Sequence, residues 1–316
     1  MVCRGAPRDL GLDQGLRVRA ALREALGPAG PRAALASLWR RGPNRGPLNR
    51  LDRQLRRFFP HLAERLGGLA RGARVPREGL VALLAEGAAS AAPGPSALVA
   101  AAPERSGAGA LLARVQPAPS AGPRCVVLRE SHPDNDYRSV ELVEAGGVAA
   151  LLGVNQHGLA AAVGAATPAR EADGCAAPAS LLVQDCLQRF DAVEKAVEWC
   201  MRRPAGGRAS ILLADASGVL AAVDVDGDAR RVRAPADGVL TASAADADRA
   251  LEKALAARAH LHADALWAAL AAGAGTGPAA LRVLADPARR CLRVLAPGDA
   301  APRELLAGSP EASRSS

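Results

Sequence analysis

From Ala97 onward the sequence falls into short apolar runs separated by Gly, Pro, Asn and Asp, and no other feature narrows the fold as much. Ala97–Ala101, Ala110–Val115, Cys125–Glu130 and Tyr137–Glu144 are strand-length. The last alternates Val140 and Leu142 against Ser139 and Glu141, as a strand with one face on a core does. Val148–Val154 and Leu159–Val163 flank Asn155-Gln156-His157-Gly158, and Ala209–Ala214 and Val219–Val225 flank Asp215-Ala216-Ser217-Gly218, which predicts two hairpins. Strands are expected near 229–233 and 238–242, and a closing hairpin over 280–286 and 290–296. Helices fall at about 179–188, 191–202 and 247–272; in the second, Ala192, Val193, Ala196, Val197 and Cys200 form the buried stripe. Hairpins, a helix pair, hairpins, a helix and a final hairpin describe two antiparallel sheets with helices outside them, an α+β fold.

The first quarter reads differently. Val18, Ala21, Leu22, Ala25 and Leu26 share one helical stripe, and Leu48, Leu51 and Leu55 another. Pro60 opens a helix carrying Leu62, Leu66 and Leu69, and residues 76–88 form one more. Ala91-Ala92-Pro93-Gly94-Pro95 breaks this pattern. The expected organisation is a helical region 1–93, a core 94–302 and a small, polar, disordered tail 303–316.

Composition excludes several classes of function. Only seven of 316 residues are aromatic, too few for stacked-base platforms. The +8 charge is concentrated in residues 1–80, where 17 Arg face six acids. Only Lys195 and Lys253 are lysine, so much of the arginine excess reflects coding bias, and a nucleic-acid partner is not expected, although a polyanion- or partner-binding role for the Arg-rich quarter stays open. No Cys/His cluster has metal-ligand spacing, so no metal and no cofactor is expected. The six cysteines form no C-x-x-C pair and read as packed, reduced thiols. The opening residues, with Arg4, Arg8 and Asp9, lack a signal-peptide core, and the apolar stretch 145–169 is diluted by Asn155, Gln156, His157 and glycines; the expectation is a cytoplasmic protein with no membrane association.

Gly153-Val154-Asn155-Gln156-His157-Gly158-Leu159-Ala160 resembles the G-x-N-x-x-G-L-A turn of the penicillin acyltransferase-like family of N-terminal-nucleophile (Ntn) hydrolases, related to the choloylglycine hydrolases. Further matches follow the family's order. Gly5 to Gly11 with Gly15 resembles its opening G-x-P-x-x-x-G-x-x-x-G. Pro60, Leu62, Leu66, Gly68, Ala70, Gly72 and Ala73 resemble its P-x-L-x-x-E-L-x-G-I-A-x-G-A, with Arg65 where the family has Glu and Leu69 where it has Ile. Pro178–Arg202, Leu213–Gly218 and Ala280–Pro297 fit its helix pair and later hairpins, so the resemblance spans most of the chain. It implies a four-layer αββα sandwich, with 1–93 equivalent to the family's cleaved-off segment. It also implies hydrolysis or acyl transfer at a linear amide, by a Cys freed through self-cleavage whose own α-amine is its base.

The residues that carry that chemistry are altered. Gly94 stands where the nucleophilic Cys is expected and Pro95 where Thr is. The family's Asn-Trp-Asp aligns near Arg114-Val115-Gln116, and its Thr-Asn-His with Ser243-Ala244-Ala245. What the resemblance leaves is Asn155, as an oxyanion donor or only as a turn residue, and Arg249, which matches a family Arg. Ser96 is the alternative nucleophile; Cys3 is set behind Val2 and Cys125 lies well downstream. The expectation is a catalytically degenerate member that binds a small acyl-amide ligand or a protein partner, with an active amide hydrolase or acyltransferase using Ser96 as the alternative.

Overall fold

Small side chains on alternating faces let two sheets lie against each other, with helices on both outer faces. The computed structural model describes residues 1–26, 46–89, 97–117, 125–164, 177–242, 251, 253–255, 257–273 and 280–307. In β2 (Ala97–Ala101) and β3 (Leu111–Pro117), Leu98, Ala100 and Leu112 face the other sheet, while Ala97, Val99, Ala101, Leu111, Ala113 and Val115 face outward onto helix. These strands pair antiparallel inside a six-stranded sheet, flanked on one side by β11 (Val239–Thr241) and on the other by β12 (Ala280–Asp286), β13 (Cys291–Leu295) and β14 (Arg303–Leu306).

The second sheet has eight strands, in the order β1 (Val2–Gly5), β4 (Val126–Pro133), β5 (Ser139–Glu144), β6 (Ala150–Asn155), β7 (Ala160–Val163), β8 (Arg208–Ala214), β9 (Leu220–Asp226), β10 (Ala229–Arg233). In β8, Leu212 and Ala214 join the inter-sheet core and Ala209, Ile211 and Leu213 join the core beneath the helices. That outer core is closed by α1 (Pro7–Ala25), α2 (Gly46–Phe58), α3 (Pro60–Ala73), α4 (Arg77–Ala89), α6 (Ser180–Arg189) and α7 (Val193–Arg202). A one-turn helix, α5 (Pro103–Ser106), follows β2. On the other side, α8 (Ala263–Gly273) and Leu251, Leu255 and Leu261 cover the six-stranded sheet. The result is a four-layer αββα sandwich.

Three sequence expectations need correction. The first segment is not only helical, because Val2–Gly5 pairs parallel with β4 and forms the edge of the larger sheet. The expected helix 247–272 is interrupted over 257–262. There the Arg105 guanidinium takes the Leu255 and Arg258 carbonyls at 3.1 and 2.8 Å, ending one helical piece as a basic side chain does at a helix C-terminus. The tail is ordered as far as Ala307: Arg303–Leu306 pairs with β13, and Leu305 and Ala307 pack toward the inter-sheet core, a two-residue alternation hidden by exposed Arg303 and Glu304. Residues 308–316 lie outside the described residues.

α1 and α3 cross with their backbones in contact. A Cβ on Gly11 or Gly15 would run into the Arg65 or Leu69 carbonyl, and one on Gly68 or Gly72 into those of Arg8 or Leu12. The two small-residue motifs therefore meet at one crossing, where only glycine fits. Beneath it lies a buried polar network. Arg129 donates to Glu141 Oε2 (2.6 Å), Gln14 Oε1 (2.6 Å), Gln184 Oε1 (2.8 Å) and the Val148 carbonyl (3.1 Å). Glu141 also accepts from Ser139 (2.6 Å), Ser131 (3.1 Å) and Gln184 (2.8 Å). Arg65 is enclosed beside them with one bond, to Ser131 Oγ at 2.9 Å, and its Nε and Nη1 are without partners.

Candidate functional site

The strand directions give the sandwich two distinct ends. At one end, Gly158 of the β6–β7 turn packs on the Pro287 carbonyl and Gly218 of the β8–β9 turn on Pro103, just past the end of β2. At the other, β2 begins, β3 ends, and Gly164, just past β7, meets Ala242, just past β11. The end where β2 begins is where the family resemblance puts the chemistry. Gly94, Pro95, Ser96, Ser243–Ala245 and Arg249 lie outside the described residues.

Asn155 is at the opposite end. It is fully buried in the β6–β7 turn, where Oδ1 accepts the His157 and Leu159 amides, both at 3.0 Å. Its Nδ2 donates to the carbonyls of Leu187 (3.0 Å) and Phe190 (2.7 Å), which tie the turn to the end of α6. Both amide hydrogens are engaged inside the chain. These bonds hold the β6–β7 turn in place.

The described residues do gather polar groups where β2 begins. Arg114 shares the inter-sheet face with its cross-strand partner Leu98 and is buried. Its Nε donates to Gln116 Oε1 (2.8 Å) and its Nη1 crosses the gap to the Val163 carbonyl (2.7 Å). Burial pushes its guanidinium down to about 10, against the pull of the Glu144 carboxylate. Arg233 spans the gap from the other sheet: Nε and Nη2 grip Asp224 at 2.7 and 3.1 Å, and Nη2 reaches the Thr241 carbonyl at 3.1 Å. Ser210 donates to Asp224 Oδ1 at 2.6 Å. Burial pushes the Asp224 carboxyl up, but Arg233 and Ser210 outweigh it and hold it below the usual carboxylate range. A carboxylate stabilised in this way is a poor proton acceptor for a serine.

No described cysteine faces the inter-sheet gap at this mouth, although Cys125 precedes β4 at the same end. Cys3 is buried in β1, where burial pushes its thiol up. Cys125 packs on the helix side of the larger sheet, and Cys291 starts β13 at the other end. Cys186 and Cys200 join α6 to α7, their sulfurs 3.6 Å apart. Sequence reasoning named Arg114 and Gln116 only as substitutes in an aligned motif, and it missed Ser210, Asp224 and Arg233 because their meeting depends on the pairing of β8, β9 and β10.

No protein-family model matches the chain, and no curated protein matches it. Among solved structures, the N-acylethanolamine-hydrolyzing acid amidase ortholog of Caenorhabditis elegans aligns with 61% of this chain and 93% of its own, at 12% identity and a TM-score of 0.50. This chain has the Ntn-hydrolase fold. A mutant conjugated bile acid hydrolase of Clostridium perfringens covers 66% of this chain and 92% of its own at 10% identity (TM-score 0.48). Penicillin V acylase of Agrobacterium tumefaciens covers 66% and 84% at 17% identity (TM-score 0.41). At these identities the Ntn likeness concerns the fold, and the chemistry rests on the residues of the mouth.

Proposed function

We propose that the protein is a catalytically degenerate Ntn-fold protein that binds a small acyl-amide ligand at the inter-sheet end where β2 begins. The observation that carries this reading is the replacement of the expected nucleophile by Gly94, which supplies neither thiol nor hydroxyl for self-cleavage or acyl transfer. The polar groups around the mouth suit recognition. Arg114 and Gln116, bonded to each other, bring a guanidinium and an amide to this end, whereas Asp224, held by Arg233 and Ser210, is poorly placed to activate a nucleophile. Asn155, in this reading, rivets a turn and takes no part in binding.

The test is the covalent state of the purified chain. Intact mass should show one species of 32.2 kDa. Two fragments of roughly 9 and 23 kDa, scaled by length, would overturn the reading and point to a cut near residue 94. Linear chromogenic acyl amides should show no burst, and Ser96→Ala should leave any trace turnover unchanged. Turnover abolished in that variant would establish the alternative, an amide hydrolase using Ser96.

A further inference from the structure

At the end of the sandwich far from the mouth, a cleft of about 480 Å³ is lined by Arg138, Gln156, His157, Arg290 and Ala307. That volume lies within the range of small-molecule sites. We propose that this cleft binds the phosphate group of a small phosphorylated molecule.

Arg138 and Arg290 enter the cleft from different sheets, and no ion pair among the described residues engages either of them. The nearby acids are committed elsewhere: Glu304 to Arg289 (2.8 Å), Asp191 to Lys195 (2.7 Å), and Asp286 to the Arg289 amide (3.0 Å). Asp134 and Asp136, in the turn before Arg138, form no ion pair with it. Two guanidiniums without counter-ions match a dianion, and their planar forks suit the oxygens of a phosphate.

The walls are fixed before any ligand arrives. The Gln156 amide donates to the Arg138 carbonyl (2.9 Å) and Gln156 Oε1 accepts the Arg138 amide (3.0 Å), so this wall is clipped at two points. Opposite, Arg290 is held in the left-handed region at φ 55°, a conformation that favours glycine. Its amide donates to the Pro287 carbonyl (3.1 Å) and its carbonyl accepts the Ala307 amide (2.8 Å). Gly158 against Pro287 fixes the walls relative to each other. Such preorganisation lowers the entropic cost of closing two long side chains on a ligand. At the rim, His157 lies 4.2 Å from Tyr137 between ring centroids, the two rings tilted by 57°, offering an aromatic edge to the rest of the molecule. The cleft is much larger than one phosphate group, which favours an ester over the free ion.

Calorimetric titration at constant ionic strength tests this with phenyl phosphate, inorganic phosphate and acetate on the intact chain. Phenyl phosphate should bind more tightly than inorganic phosphate, and acetate least. Arg138→Gln and Arg290→Gly should each weaken phenyl phosphate binding by about tenfold or more. Arg290→Gly suits the test because glycine adopts the turn's positive φ without strain, so its melting temperature should hold. Arg208→Gln, at the opposite end of the sandwich and paired with Asp226, should leave affinity unchanged. Absence of phenyl phosphate binding, equal affinity in the wild type and the two cleft variants, or chloride competing as well as phosphate would each overturn the proposal. Inorganic phosphate binding as tightly as the ester would overturn its assignment to a phosphorylated molecule.

Discussion

Arg65 sits in the interior beside a second guanidinium with two of its nitrogens unpartnered. Burial pushes it down to about 9, with Arg129 acting in the same direction and Glu141 opposing. Removing such a charge while keeping its volume relieves both desolvation and repulsion. Arg65→Met is therefore expected to leave stability unchanged or raise it by about 1–3 kcal/mol in urea unfolding at pH 7, and a loss of comparable size would contradict this account. Glu141 behaves oppositely. Burial pushes its carboxyl up, but Arg129, Arg65, Ser139 and Gln184 together hold it down at about 2. Because the folded value lies below the unfolded one, its contribution of about 3 kcal/mol is present above pH ~4.5 and lost as pH falls toward 2. The stability gap between wild type and Glu141→Gln should accordingly shrink over that window, as urea midpoints at stepped pH would show. Sequence pattern placed Glu141 on a polar strand face; it did not reveal that the face was enclosed, since only the docking of α1, α3 and α6 excludes water there.

At the scale of elements, the strands and hairpins were legible because turn residues and two-residue alternation are local signals: β2, β10 and β12 begin and end where the sequence put them. What was not legible depended on distant partners. β1 and β14 owe their existence to β4 and β13, and the break before α8 to Arg105, some 150 residues earlier. The α1–α3 crossing makes a sharp prediction from adjacent glycines. Gly68→Ala would force Cβ into the Arg8 carbonyl and should cost about 3 kcal/mol or more. Gly67→Ala meets nothing within 4 Å and should stabilise the helix by about 0.5–1 kcal/mol. Thermal unfolding of the two variants side by side checks both signs.

For the molecule as a whole, the break near residue 93 marks a change of pattern that the packing crosses. Residues before it supply a strand of the larger sheet, Gln14 of the buried network and much of the helix layer. Expressed alone, residues 94–316 should aggregate, and co-expression with residues 1–93 as a separate chain should restore a soluble complex, read by size exclusion. A soluble, cooperatively folding 94–316 fragment would show that the helical layer is dispensable. The site was only half visible in the sequence for a related reason: a missing nucleophile can be read along one segment, whereas the Arg114 and Arg233 bridges exist only once both sheets have closed.

The parallel pairing of Val2 with Glu130 also sets an order of events during synthesis. β1 leaves the ribosome long before β4, the strand it pairs with. At about 5–20 residues per second, the intervening chain takes roughly 6–26 s to appear. During that interval β1 exposes an unpaired edge, and the glycine faces of α1 and α3, close in sequence, have time to find each other first. Nascent α1–α3 pairing thus comes within reach while the larger sheet still lacks β4.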